Sequence, residues 1–274
     1  MHIEGGLIEG FKYGGLSPLD FGGLAAWYKS TDGVDLAFGN LVTQWNDLSG
    51  NNRHLDTIFN LVDLTTLAYS PRLYNTDNGL GIRFYDSRIV MGCSTDLEFK
   101  KMLYDGRPMT MIIVVKINSY LGAANINFIS TGSQHFDYGS YRLSLPTPTF
   151  MSSGVRKGTY SSATTILSNS IGAANVPPLG NNVISVIDTG YTPANNHRFL
   201  YINDPSAAKT SGKFSESPPV LSDNYLIEIK AGEGNYLYEI IMYDNTGKSQ
   251  AQILDEHTRL YNEYIAIRYP NLYN

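Results

Sequence analysis

The chain has 274 residues, of which 42% are hydrophobic and 16% charged, with a formal net charge of −5. That length suits one large core or two small ones, and the lack of any basic cluster removes the long-range attraction that nucleic acid or an anionic bilayer requires. No apolar run approaches the length that spans a bilayer, and the single cysteine, Cys93, excludes an internal disulfide; the N-terminus lacks the blocks of a secretory leader, so synthesis in a cytoplasm is expected.

With 26 glycines, 20 tyrosines and many Asn, Ser and Thr, the composition points to strands joined by turns. Residues 1–23 carry glycine pairs and Pro18, which interrupt every apolar run, yet Ile3, Leu7, Ile8, Phe11, Tyr13, Leu16 and Phe21 give too much apolar surface for a solvated linker. They read as an extended arm that becomes ordered on another surface, either a partner subunit or its own domain. Residues 24–274 then form one domain. Ala26 to Leu55 reads as a hairpin, with Trp27 and Tyr28 in an apolar run, turn signals at Asp32-Gly33 and Gly39-Asn40, and a second strand at Leu41 to Trp45. The run Asn46 to Asn52 is a tight loop, because Asn, Asp, Ser and Gly favour side-chain bonds to the backbone and positive φ.

Between His54 and Leu80 no period is sustained, although Ile58 to Leu67 suits a short strand pair. Strands follow at Ile82 to Phe84 and Ile89 to Met91, with a helical stretch from Asp96 to Leu103. Met111 to Ile117 is nearly all apolar and β-branched, which predicts a central strand. Further strands are expected at Asn127 to Ser130, Tyr141 to Leu145, Val183 to Asp188, Phe199 to Ile202, Tyr225 to Ile229 and Tyr236 to Tyr243. Pro146 to Pro178 reads either as edge strands with long loops or as a surface elaboration. Ser249 and Gln252 make a capping box, and Leu254, Thr258, Tyr261 and Ile265 recur at helical spacing, so a helix is predicted over 248–269, stopped by Pro270.

The order Ala26-Trp27-Tyr28, Gln44-Trp45-Asn46-Asp47, Ser49-Gly50-Asn51 and His54 resembles the opening of concanavalin A-like lectin/glucanase domains of the laminin-G-like kind that recur in bacteriophage virion proteins. Gly81 to Phe84, Met109 to Ile117, Phe199 to Asn203, Leu237 to Tyr243 and the closing Tyr264 to Tyr269 are similar to later parts of the same family, although Tyr85-Asp86-Ser87 stands where Asp-Gly is usual. The resemblance implies an all-β, antiparallel jelly-roll β-sandwich with a C-terminal helix and the N-terminal arm. Trp27, Trp45, Asp47, Gly50, Asn51 and His54 would be structural members of its opening motif. It also implies a non-enzymatic structural component of a phage particle, a capsid decoration or tail accessory protein. Such a protein would sit in multiple copies among other virion structural proteins and display an adhesion module. A fibre or baseplate lectin recognising host-surface polysaccharide is the alternative, and a glycan hydrolase or lyase the second.

Enzyme activity is not expected from the residues. The E-x-[DE]-x-x-E carboxylate pattern of laminarinase-type enzymes is absent, Glu228 stands alone, and Glu239 with Asp244 has the wrong spacing. A G-x-S-x-G elbow is also missing. His2, His54, His135, His197 and His257 lack zinc-site spacing, and His54 is expected to bond backbone in the Asp47 to Asn52 loop. No cofactor is expected. Calcium is the one ion the loops suggest, through Asp47 with Asn51 or Asp223 with Asn224, and Asx turns account for the same residues. For a glycan, Tyr138, Tyr141, Tyr160 and Tyr191 lie near Gly, Ser and Asn and offer stacking platforms, while Trp27 and Trp45 are expected to anchor the core or the hairpin.

Overall fold

The computed structural model describes residues 15–58, 70–85, 90–93, 97–103, 105–120, 126–131, 141–147, 150–157, 164–191, 197–213, 215, 227–229 and 231–273. Among them run strands β1 (Leu24–Lys29), β2 (Val34–Ala37), β3 (Leu41–Trp45), β4 (Leu55–Ile58), β5 (Arg72–Thr76), β6 (Gly79–Arg83), β7 (Val90–Cys93), β8 (Met109–Ile117) and β9 (Ile126–Thr131). They continue as β10 (Tyr141–Thr147), β11 (Phe150–Lys157), β12 (Thr164–Gly172), β13 (Gly180–Asp188), β14 (His197–Ile202), β15 (Thr210–Lys213), β16 (Ile227–Ile229) and β17 (Tyr236–Asp244). The helices are α1 (Leu97–Met102) and, near the C-terminus, α2 (Gln250–Leu260).

The fold is an antiparallel β-sandwich. One sheet has the order β1-β17-β8-β13-β14-β15. The other runs β2-β3-β4-β7-β16-β9-β10-β11-β12. The β5-β6 hairpin joins them at one corner, because β6 pairs with Tyr236 and Leu237 of β17 while Arg72 of β5 meets Leu41 of β3. The described residues of 146–178 are therefore largely strand, with β11 and β12 extending the second sheet outward from β10.

Strand periodicity decides which layer each side chain enters. Along β8, Met109, Met111, Ile113, Val115 and Ile117 fill the space between the sheets, whereas Ile112 and Val114 face the other way, toward the C-terminal helix. Covered on both faces and paired on both edges, β8 is the central strand that its apolar, β-branched composition predicts. On β17 the register slips between Leu237 and Glu239, a bulge that turns Tyr238 and Glu239 both toward the helical side.

Helix α2 starts at the reciprocal cap of Ser249 and Gln252, continues through a π-type turn at Tyr261–Ile265, and ends at Arg268. Its buried face, Leu260, Tyr261 and Ile265, closes over Trp27, Tyr238, Ile241 and Tyr243. At about 1.5–3 kcal/mol per fully buried large side chain, burial of these residues is a substantial gross contribution to holding the helix on the sheet.

The hairpin expected of the Trp27 run does not form as read. β1 pairs with β17, some 200 positions away, and Leu41–Trp45 pairs instead with β2 across the Gly39-Asn40 turn, whose φ values are 73° and 62°. The physical reason is burial: Ala26 and Tyr28 enter the sandwich while Trp27 lies under the helix, so β1 needs a neighbour covered on both faces, and β2 is largely exposed.

Phe21 stacks edge-on against Tyr243 at 6.3 Å, Leu16 packs on the same helical-side cluster, and the Tyr243 hydroxyl donates to the Pro18 carbonyl at 2.9 Å. These two arm residues are occupied by packing within the chain. Ile3, Leu7, Ile8, Phe11 and Tyr13 lie outside the described residues, as does most of the expected strand pair at 58–67.

Candidate functional site

Where β6 crosses from one sheet to the other, five strands put directly opposed residues in a single row: Arg72 of β5, Arg83 of β6, Tyr236 of β17, Lys116 of β8 and Asn181 of β13. Opposed residues in an antiparallel ladder share a face, so the row is one continuous strip of side chains. Arg83, Tyr236 and Lys116 are half-buried, with part of each open to solvent.

Two more tyrosines complete the strip. Tyr74 stands edge-on to Tyr236 at 6.4 Å and tilts against Tyr85 at 6.3 Å, and the Tyr74 and Tyr85 hydroxyls hydrogen-bond to each other. The Arg83 guanidinium lies 4.7 Å from the Tyr85 ring and 5.8 Å from that of Tyr236, a cation held against two aromatic faces. Burial, with the hydrogen bond to Tyr74, raises the Tyr85 phenol above its ordinary pKa, so it stays a neutral donor.

Gly81 makes this crowding feasible. A Cβ there would come within 2.9 Å of the Tyr238 ring and 3.2 Å of the Tyr236 Cβ, so only glycine lets both rings lie across β6.

The far end of the strip is polar. Lys116 donates to Asp77 at 2.7 Å, and this bond holds the Asp77 carboxyl below its usual value. Asn271 donates to the Asp77 carbonyl and receives a bond from Asn181 on its own carbonyl, which ties the C-terminal turn to the strip. The face thus offers aromatic surface, two guanidinium groups, an ammonium and an amide along the row, with the Asp77 carboxylate beside Lys116. Those are the groups that stack on the C–H face of a sugar ring and bond its hydroxyls.

The opening motif serves another purpose. Asp47 accepts from the Trp27 amide and the Ser49 amide on one oxygen, each at 2.9 Å, and from the Ser49 hydroxyl and Arg53 amide on the other. Asn51 donates to the Leu24 and Ala25 carbonyls, and His54 Nδ1 accepts the Asp47 amide at 3.1 Å, the backbone bond expected of it. Gly50 holds φ at 87° in this loop. The loop fastens β1 to the sheet edge, and with donors on both Asp47 oxygens the carboxylate is engaged as an Asx-type cap, not presented to a cation. Among the described residues, no three His, Cys, Asp or Glu side chains converge as metal ligands. Asp223 and Asn224 lie outside those residues.

Trp45 is fully buried between the sheets, tilted against Tyr28 at 5.7 Å. Trp27 lies on the helical side and donates its indole N–H to Glu239 at 2.6 Å. Glu239 also accepts from Tyr264 at 2.6 Å and Tyr269 at 2.7 Å, and burial raises its pKa. Fully buried under the helix with both oxygens bonded, this carboxylate is a structural clasp.

Of the four tyrosines proposed as platforms, Tyr138 and Tyr160 lie outside the described residues and Tyr141 sits on β10. Tyr191 is half-buried, packed against the inter-sheet core, with its amide bonded to the Gly106 carbonyl at 2.6 Å. The structure does not bring it near Tyr74, Tyr85 or Tyr236. Sequence reasoning missed these three and Arg83. Their signals were a glycine inside a strand at Gly81 and the Tyr-x-Tyr alternation at 236 and 238.

No family model matches the sequence, and no curated protein matches it either. Solved structures do match in fold. Domain 4 of an extracellular GH43 arabinanase from Geobacillus stearothermophilus, in complex with arabinotriose, is similar with a TM-score of 0.50 and 12% identity, over 86% of this chain and 98% of that one. The binding domain of botulinum neurotoxin DC, in complex with SialylT, is similar with a TM-score of 0.52 and 12% identity, over 93% of this chain. The present chain spans about half of that neurotoxin domain's length, 52%. At such identities the likeness is one of fold: an all-β sandwich also found in domains solved with bound saccharide.

Proposed function

We propose that this chain is a non-enzymatic carbohydrate-binding module that holds its ligand on the Tyr74, Tyr85, Arg83 and Tyr236 face. The observation that carries the reading is the strip itself, in which Tyr236, two guanidinium groups, an ammonium and an amide share one row, with the half-buried Tyr74 and Tyr85 and the Asp77 carboxylate set against it. The fold shared with an arabinanase domain solved with arabinotriose supports it. A glycan array followed by calorimetry tests it: Tyr236→Ala is expected to weaken saccharide binding by at least about tenfold, or about 1.4 kcal/mol, without unfolding the protein. An array on which no saccharide binds in a Tyr236-dependent way would end this reading. Release of reducing ends from any bound polysaccharide would overturn its non-enzymatic part.

The ordered likeness of Ala26 to His54 to the virion lectin-like domains favours a finer version, in which the module is displayed on a phage particle as a decoration, tail accessory or receptor-binding component. Attachment would run through the apolar residues upstream of Gly15, since Leu16 and Phe21 are taken up within the chain. Deleting residues 1–14 should leave a folded module that no longer enters the particle. Unchanged incorporation would remove the attachment role.

A further inference from the structure

The geometry points to selection of saccharides that carry a carboxylate, with Arg83 as the residue that recognises the acid group; the inference rests on the carbohydrate-binding reading above. Arg72 and Arg83 are directly opposed on β5 and β6, and like charges in that position repel. Arg72 donates to the Gly39 carbonyl at 2.6 Å. Lys116, one strand beyond Tyr236, is balanced by Asp77. Arg83 is different: among the described residues it forms no ion pair, and its Nε is buried with no hydrogen-bond partner. In a chain whose net charge is −5, an uncompensated guanidinium opposed to a second one is a local exception.

Its surroundings fix how it would act. Cation–π contact with the Tyr85 ring at 4.7 Å and the Tyr236 ring at 5.8 Å confines the guanidinium between them, so less freedom remains to be lost when a ligand binds. A planar, preorganised fork matches a carboxylate through paired N–H bonds, whereas a neutral hydroxyl leaves the charge unanswered. The sugar ring would lie on the adjacent tyrosines while its acid group meets Arg83, so aromatic stacking supplies affinity and the guanidinium supplies selection.

The test is a panel of uronic-acid and sialic-acid oligosaccharides, each beside its carboxyl-reduced form, titrated into wild type, Arg83→Gln, Arg83→Lys and Tyr236→Ala. The expected result is binding of at least one acidic form, at least about tenfold tighter than its reduced form, with that ratio falling to near one in Arg83→Gln and partly kept in Arg83→Lys. Acidic and reduced forms bound equally by wild type, both weakened in Tyr236→Ala, would overturn the acid selection and leave the carbohydrate-binding reading standing. Absence of any Tyr236-dependent saccharide binding, acidic or neutral, would overturn both. Should Arg83→Gln not fold, the ratio in wild type and its fall with added salt decide the matter alone.

Discussion

His257 sits on α2 with its ring 5.0 Å from Tyr201 and 6.4 Å from Tyr261, and both of its ring nitrogens are buried without a hydrogen-bond partner. Phe21, Thr110, Tyr243, Asn245, Glu256 and Leu260 line the same small pocket, and the one carboxylate among them, Glu256, pairs with Lys248. Burial pushes the imidazole down from 6.5 to about 4. Above pH 6.5 the ring is neutral in both states and the stability is whole. As the pH falls toward about 4, the unfolded chain takes up a proton that the folded one refuses, and stability is lost across that window. A displacement from 6.5 to about 4 corresponds to about 3 kcal/mol. The buried carboxyls of Glu239 and Asp188, raised by burial, act in the opposite sense, so the effect must be isolated against His257→Leu. Urea unfolding of both proteins between about pH 7.5 and about pH 4 reads it. The Leu variant should match or exceed wild type at neutral pH and gain on it by about 3 kcal/mol at the acid end. A difference that stays flat with pH would show that the imidazole is not held neutral in the fold, and the reasoning would fail.

Glu239→Leu should cost about 3–5 kcal/mol in the same assay, because it strips the acceptor from the Trp27 indole and the Tyr264 and Tyr269 hydroxyls while leaving them buried. A loss below about 1 kcal/mol would mean that those donors find other partners. Asp47→Ala should cost about 2–3 kcal/mol and speed hydrogen exchange at the Trp27, Ser49 and Arg53 amides, which it caps. Unchanged exchange at those amides would show that the loop holds without its carboxylate.

Local chemistry carried much of the fold into the sequence. The β-branched run of β8, the Ser249 and Gln252 cap, the Pro270 stop and the polar loop at 46–52 each follow from residues a few positions apart, and each lies where its pattern places it. His54 was legible for the same reason: its partner is seven residues away. Pairing between distant segments was not legible. Nothing local to Ala26-Trp27-Tyr28 selects β17 over the nearer β3, since that choice depends on which strand can bury both faces once the sheets stack. Glu239 looked like one more carboxylate on a strand until the bulge at Leu237 turned it beneath the helix, where a tryptophan from β1 and two tyrosines from the C-terminal segment converge on it.

The candidate site belongs to the same second kind. Arg83 and Tyr236 stood in recognised strands, and Tyr74 in an unremarked one. The sequence determined their alternation, and hence that each would stand on one face or the other. Only the tertiary structure decided that β5, β6, β17, β8 and β13 lie side by side and set an arginine between two aromatic rings. The reason is that a strand's period is written within it, whereas its neighbours are chosen by the burial of the whole sandwich.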